Sequence, residues 1–161
     1  MITEEPTIED PKKPLKRLTN GEIIFDHVSF KYEPADKADA LKDIHLHIRP
    51  GETIGIIGET GSSKSTLVSM IPRLYDVTSG AVRVAGHNVK SYDLKTLRDN
   101  VAMVLQKNVL FTGTIKDNLK WGNENATDEQ VIAAAKIAHA DGFIREMPDG
   151  YDTMVEQGGN N

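Results

Sequence analysis

The spacing of apolar residues changes period several times along the chain, and each change predicts an element. Ile24, Val28 and Phe30 predict a strand over residues 22–30. Ile44, Leu46 and Ile48 alternate with His45 and His47, which predicts a second strand over 41–48 with one wet face. After the turn pair Pro50-Gly51, the apolar run Thr53-Ile54-Gly55-Ile56-Ile57 predicts a strand buried on both faces, as in parallel sheets. Leu67, Met70, Ile71 and Leu74 share one stripe and predict a helix over 64–74. Gly80 precedes a strand over 81–85, and Asp93 is placed to cap a short helix carrying Leu94 and Leu97. Residues 101–105 form a further apolar strand ending at Gln106; 108–113 read as loop and 114–121 as a short helix. Thr127 and Gln130 have capping-box spacing ahead of an Ala-rich helix over 131–139, and 140–147 predicts another short helix before the turn Pro148-Asp149-Gly150. Pro6, Pro11 and Pro14 make 1–20 a linker or extended tail.

Composition narrows the class. The chain has 161 residues, 39% apolar and 27% charged, an ordinary globular balance. Its net charge of −5 disfavours a dominant nucleic-acid binder. With no cysteine, disulfide scaffolds, thiol catalysis and Cys-ligated zinc are excluded. The apolar runs fall far short of the roughly 20 residues of a membrane span, and the acidic start lacks a signal-peptide core. The expectation is a soluble piece.

The segment that carries chemistry is Gly58-Glu59-Thr60-Gly61-Ser62-Ser63-Lys64-Ser65-Thr66, set between an apolar strand and a helix. That is the context of a phosphate-binding P-loop. Loop and helix-start amides make an anion nest, and Lys64 can place an ammonium on the outer phosphates. Ser65 can offer its hydroxyl to Mg2+, and Thr66 lies near the first helical amides. The strict pattern has glycine where this chain has Ser63. If that position requires positive φ, serine costs about 1 kcal/mol or more; if φ is negative, the cost is small.

Around this loop stand Phe30-Lys31-Tyr32 upstream, then Gln106 and Leu110-Phe111-Thr112-Gly113-Thr114-Ile115-Lys116-Asp117-Asn118-Leu119 downstream. In this order they resemble the nucleotide-binding domain of ATP-binding cassette (ABC) transporters, in particular the exporter type. The resemblance covers about residues 21–161. It implies ATP and Mg2+ as cofactors, Tyr32 as the aromatic that stacks on adenine, and Gly58 to Thr66 as the phosphate cradle. It further implies Ser65 and Gln106 on the metal, with Gln106 also reaching the attacking water. The segment from Phe111 to Ile115 resembles the family's surface toward the membrane domain. The stretch Met154-Val155-Glu156-Gln157-Gly158-Gly159 resembles the one before the family's signature helix, and 1–20 resembles the tether from a membrane domain. The implied fold is α/β: a P-loop NTPase core with an antiparallel β-subdomain and a helical subdomain from about Gln106, incomplete here. The implied partners are a membrane-spanning domain and a second nucleotide-binding domain, with no nucleic acid, at the cytoplasmic face of a bacterial membrane.

Three family features are absent from the sequence: a Leu-Ser-Gly-Gly-Gln-like signature, an apolar strand ending in Asp-Glu after the loop (Walker B), and a histidine beyond it. Ile23-Ile24-Phe25-Asp26 precedes the loop and reads as the first strand, with Asp26 solvated. The expectation is therefore an ATP-binding portion of an exporter, an ATPase in its parent context, cut before its signature and inactive in hydrolysis by itself. The alternatives are a non-catalytic nucleotide-binding or interaction module, including the degenerate half of a heterodimer, and a soluble ABC ATPase outside transport. His45 and His47 share a strand face at a spacing that can hold a metal, but no third ligand is evident, so a solvated face is expected. Glu4, Glu5, Glu9 and Asp10 are expected to be a solvated part of the linker.

Overall fold

A one-residue insertion in the first strand sets the register of the sheet. In the computed structural model, which describes residues 7–105, 109–156 and 158–159, strand β1 runs Ile23–Phe30 and pairs antiparallel with β2, Leu41–Ile48. Phe25 faces Leu46 and Val28 faces Ile44, so Asp26 and His27 together oppose His45. Strict alternation from Phe25 would bury His27 and Ser29; the bulge brings Val28 and Phe30 inward instead. His27 accommodates it with φ 50°. Strand β3, Ser79–Val84, pairs with the other edge of β1, and the two-residue β4, His87–Asn88, completes the order β2-β1-β3-β4. Gly80, at φ +76°, crosses the bulge so closely that a Cβ would lie 2.2 Å from the His27 carbonyl oxygen.

The sheet packs its inner face on α1, Lys64–Ser69, and α2, Leu94–Asp99. The core holds Phe25, Val28, Phe30, Met70, Val82, Tyr92 and Leu97 among others. Asp93 caps α2 as expected, accepting from the Thr96 amide at 2.9 Å. Helix α1 ends at Ser69, five residues short of the expected end. Pro72 lacks the amide that would continue the ladder to Val68, and the chain turns there with Arg73 at φ 54°. Leu67 and Ile71 still pack on the core, while Leu74 is exposed.

Neither the expected parallel-type strand over 53–57 nor the expected apolar strand over 101–105 forms among the described residues. Residues 53–57 and 101–105 have no ladder partner among the described residues, and Ile57 is 98% and Val104 93% exposed. Apolarity predicts a doubly buried strand only where neighbouring strands complete its hydrogen bonds and elements cover its faces.

Residues 7–20 run extended along this first unit, which comprises 1–103. Leu15 forms an isolated parallel bridge with Tyr92, donating to Ser91 O at 2.8 Å and accepting from Asp93 N at 3.1 Å. The Asp10 carboxylate accepts from Leu94 N at 2.8 Å, so it is engaged rather than merely solvated.

The second unit, 104–161, is mainly helical: α3 (Ile115–Lys120), α4 (Asp128–Ile137) and α5 (Asp141–Glu146), with a two-stranded ribbon of β5 (Gly113–Thr114) and β6 (Met154–Val155). Thr127 and Gln130 form the expected capping box, and Thr114 with Asp117 forms another on α3. Val131, Ala135, Ile144 and Val155 are its buried centre. Lys116 ties α3 to the start of α4, at 3.1 Å from Asp128, and to Asp152, at 3.2 Å. No helix among the described residues is long and apolar enough to cross a membrane.

Candidate functional site

The loop from Gly58 closes on itself through its lysine. Lys64 Nζ donates to the carbonyl oxygens of Gly58 at 2.8 Å and Glu59 at 2.7 Å, and to Ser62 Oγ at 3.1 Å. The ammonium is thus suspended over the loop by carbonyl oxygens at its start. A Cβ at Gly58 would lie 2.6 Å from Ser62 Oγ, and Gly61 turns the loop at φ +86°.

Ser63 sits at the N-cap of α1 with φ 59° and ψ 20°, the left-handed region. Its side chain makes no capping hydrogen bond, although its carbonyl accepts from Leu67 N at 2.9 Å. The question left open by the sequence is settled by this backbone: the position is one that glycine occupies without strain, and serine does not. Ser65 is exposed on the first turn, and Thr66 is buried.

Tyr32 extends from the end of β1 and reaches this turn. Its hydroxyl lies 2.5 Å from Thr66 Oγ1. The residue is 52% exposed, and its ring meets Phe30 edge-on at 5.0 Å and Tyr75 at 5.5 Å with the planes at 90°. A cavity of about 440 Å³ opens beside it, lined by Thr7, Ile8, Pro34, Tyr75 and Asp76 among others. Tyr75, Thr7 and Ile8 were not singled out from the sequence. Only the turn after Pro72 brings Tyr75 against Tyr32, and no local pattern brings residues 7–8 there.

Asp76 is anchored beneath this wall. Burial pushes its carboxyl up, but the Arg73 guanidinium, bidentate at 2.8 and 3.1 Å, and Lys90 more than offset that and hold it below the ordinary range. Arg73 itself is buried and also donates to the Glu9 carbonyl at 3.1 Å.

The structure therefore brings Tyr32, Lys64 and Thr66 together with the loop residues 58–63, and leaves Ser65 facing solvent beside them. Gln106 lies outside the described residues. In the second unit, Phe111 stacks on Trp121 with ring centroids 4.5 Å apart, and its amide is held by Asn118 Oδ1 at 2.8 Å. His45 and His47 do not act as a pair: His47 bonds Glu22 at 2.9 Å, whereas the His45 ring lies 5.1 Å from that of His27.

The donor set around the loop is an ammonium, the hydroxyls of its serines and threonines and the loop backbone, and among the described residues the hydrogen bonds of Lys64 run to two carbonyls and one hydroxyl. This is chemistry suited to a polyphosphate and its divalent cation. Comparison with known proteins agrees. Residues 41–156 match the sequence model of the ABC transporter family. The "Putative multidrug export ATP-binding/permease protein" of Staphylococcus aureus strain NCTC 8325 is 47% identical over 142 residues, 88% of this chain and 24% of that protein. Its counterpart in the bovine strain RF122 is 45% identical over the same length. The chain thus spans about a quarter of the length of these curated relatives. Among solved structures, a bacterial Atm1-family ABC exporter with ATP bound superposes with a TM-score of 0.88 at 31% identity, covering 94% of this chain and 26% of that one. The chain belongs to the ABC transporter family and carries the P-loop NTPase fold of its exporter-type ATP-binding domain.

Proposed function

We propose that this chain supplies the nucleotide-holding part of an ATPase whose ATP binding and hydrolysis drive export across a membrane. The observation that carries the reading is the contact between Tyr32 and Thr66, which puts an exposed aromatic face beside the first turn that follows the phosphate loop. An aromatic face binds a base without reading its edge. With nucleotide bound, Lys64 would exchange its loop carbonyls for phosphate oxygens, and the hydroxyl of Ser65 would hold Mg2+, with Gln106 as a second ligand. Bound Mg2+ supplies charge neutralisation of the phosphates. The fixed donors of the loop orient the nucleotide, and their contribution is positioning.

Turnover needs more than this. The 161 residues contain no signature-like run and no Asp-Glu strand after the loop. The chain alone therefore binds MgATP weakly and hydrolyses it negligibly. Within a whole transporter, a membrane-spanning domain and a second ATP-binding domain complete the machine, and the stacked Phe111 and Trp121 belong to the surface toward the former.

Titration of the chain with MgATP, with Lys64→Ala beside it, tests the reading. Saturable binding abolished by Lys64→Ala supports it; binding indifferent to Lys64, or Lys64-dependent hydrolysis by the chain alone, contradicts it. The left-handed Ser63 favours one variant of this reading, in which this cassette is the degenerate half of an asymmetric pair. Measuring each site's hydrolysis in the whole transporter, with and without Ser63→Gly, decides between the two.

A further inference from the structure

The two strands that precede the phosphate loop in sequence build a cluster of a different chemistry. Asp26, His27 and His45 each offer a ligand atom, and these atoms lie within 4.8 Å of one another. Regular pairing would send Asp26 and His27 to opposite faces of the sheet. The bulge prevents that, because both residues stand opposite His45. A second irregularity, between the pairs Val28–Ile44 and Phe30–Leu41, places Lys42 and Asp43 opposite Ser29. Asp43 takes φ 48°, its amide donates to Ser29 Oγ at 2.9 Å, and its carboxylate bonds His27 Nδ1 at 2.7 Å.

That last contact determines what His27 can do. A carboxylate on Nδ1 holds the proton there and turns the lone pair of Nε2 outward, the usual arrangement behind a metal-bound imidazole. The geometry points to a divalent transition-metal site on the solvent face of the sheet, with His27 Nε2, His45 and the Asp26 carboxylate as ligands and Asp43 as the orienting carboxylate. Two imidazoles and one carboxylate suit Zn2+ and its first-row neighbours, whereas Mg2+ and Ca2+ prefer all-oxygen sets. Tetrahedral Zn2+ separates its ligand atoms by about 3.3 Å, so the three groups close in by side-chain rotation. Both histidines are exposed, which leaves room for that movement. Arg83, 3.6 Å from Asp26, is the cation that the metal displaces. Water completes the coordination. The ion would staple β1 to β2 across the bulge.

The test uses the full chain without a histidine tag. Calorimetric titration with Zn2+ is expected to give one ion per chain, and Mg2+ none. His45→Ala and His27→Asn (asparagine tolerates the left-handed backbone) weaken Zn2+ binding by more than about tenfold, Asp43→Asn by about tenfold, and His47→Ala leaves it unchanged. In the unmutated chain, the ring resonances of His27 and His45 move on Zn2+ addition while those of His47 and His87 stay, which reads the site without any variant. Absence of saturable binding, an equal loss in His47→Ala, or unmoved His27 and His45 signals overturns the proposal.

Discussion

The hydroxyls of Tyr32 and Thr66 lie 2.5 Å apart, joining the end of β1 to the first turn of α1. The aromatic ring is therefore positioned by the very turn that follows the lysine. Removing the ring by Tyr32→Ala should weaken MgATP binding by about 1–3 kcal/mol, the range for a base on an aromatic face, while Tyr32→Phe keeps most of the affinity. A titration with a fluorescent ATP analogue reads both. Equal affinity of Tyr32→Ala and the unmutated chain would remove Tyr32 from the site.

Ser63 holds its left-handed backbone without a compensating side-chain hydrogen bond. Ser63→Gly should therefore stabilise the chain by about 1 kcal/mol, raising its melting temperature by about 2–4 °C. Ser63→Ala retains the Cβ and gains nothing. Differential scanning calorimetry of the pair separates backbone relief from loss of the hydroxyl; similar gains in both would discount the backbone argument.

Gly80 and Gly86 have nearly the same φ, +76° and +79°, but only Gly80 is crowded, by the carbonyls of His27 and Asp26. Gly86→Ala meets nothing within 4 Å and should lose only the conformational term, about 1 kcal/mol. Gly80→Ala adds a backbone collision and should lose at least about 2 kcal/mol more. Urea midpoints of the two variants measure the difference, and equal losses would mean that the strands separate freely at the bulge.

Asp76 titrates below its ordinary range in the folded chain. A carboxylate with a lowered folded pKa gives its stabilisation in full above the unfolded value, and loses it as pH falls through the folded value. Asp76→Asn should thus lower the melting temperature at neutral pH, and the gap to the unmutated chain should close as pH drops below the ordinary carboxylate range. A gap that persists unchanged into strong acid would show that Arg73 and Lys90 do not act through the charge of Asp76.

The features that could be read ahead were those written in neighbouring residues. Alternation marked β2, the apolar positions Ile24, Val28 and Phe30 marked β1, and Asp93 and Thr127 with Gln130 marked helix starts, because caps and strand faces are written in residues close together in sequence. The loop's chemistry was equally local, from Gly58 to Thr66. What escaped was non-local or depended on company. The bulge at Asp26 and His27 has no residue-type signature and exists only against Ile44 and Leu46. Ile54, Ile56 and Ile57 are strand-like but find no ladder among the described residues. The early end of α1 was different: Pro72 stood in the expected helix, and its missing amide was a local signal outweighed by the stripe through Leu74. Tyr75 joined the site for the same reason, since the turn that follows Pro72 delivers it.

Residues 7–15 have a mechanical side. Glu9 is held by Arg73, Asp10 by the Leu94 amide, and Leu15 by both Ser91 and Asp93. A pull along this segment loads these bonds in shear, and its reaction is taken by the turn before α2 and by the guanidinium that anchors Asp76. Tension would thus arrive at the wall of the tyrosine cavity before it reached the phosphate loop.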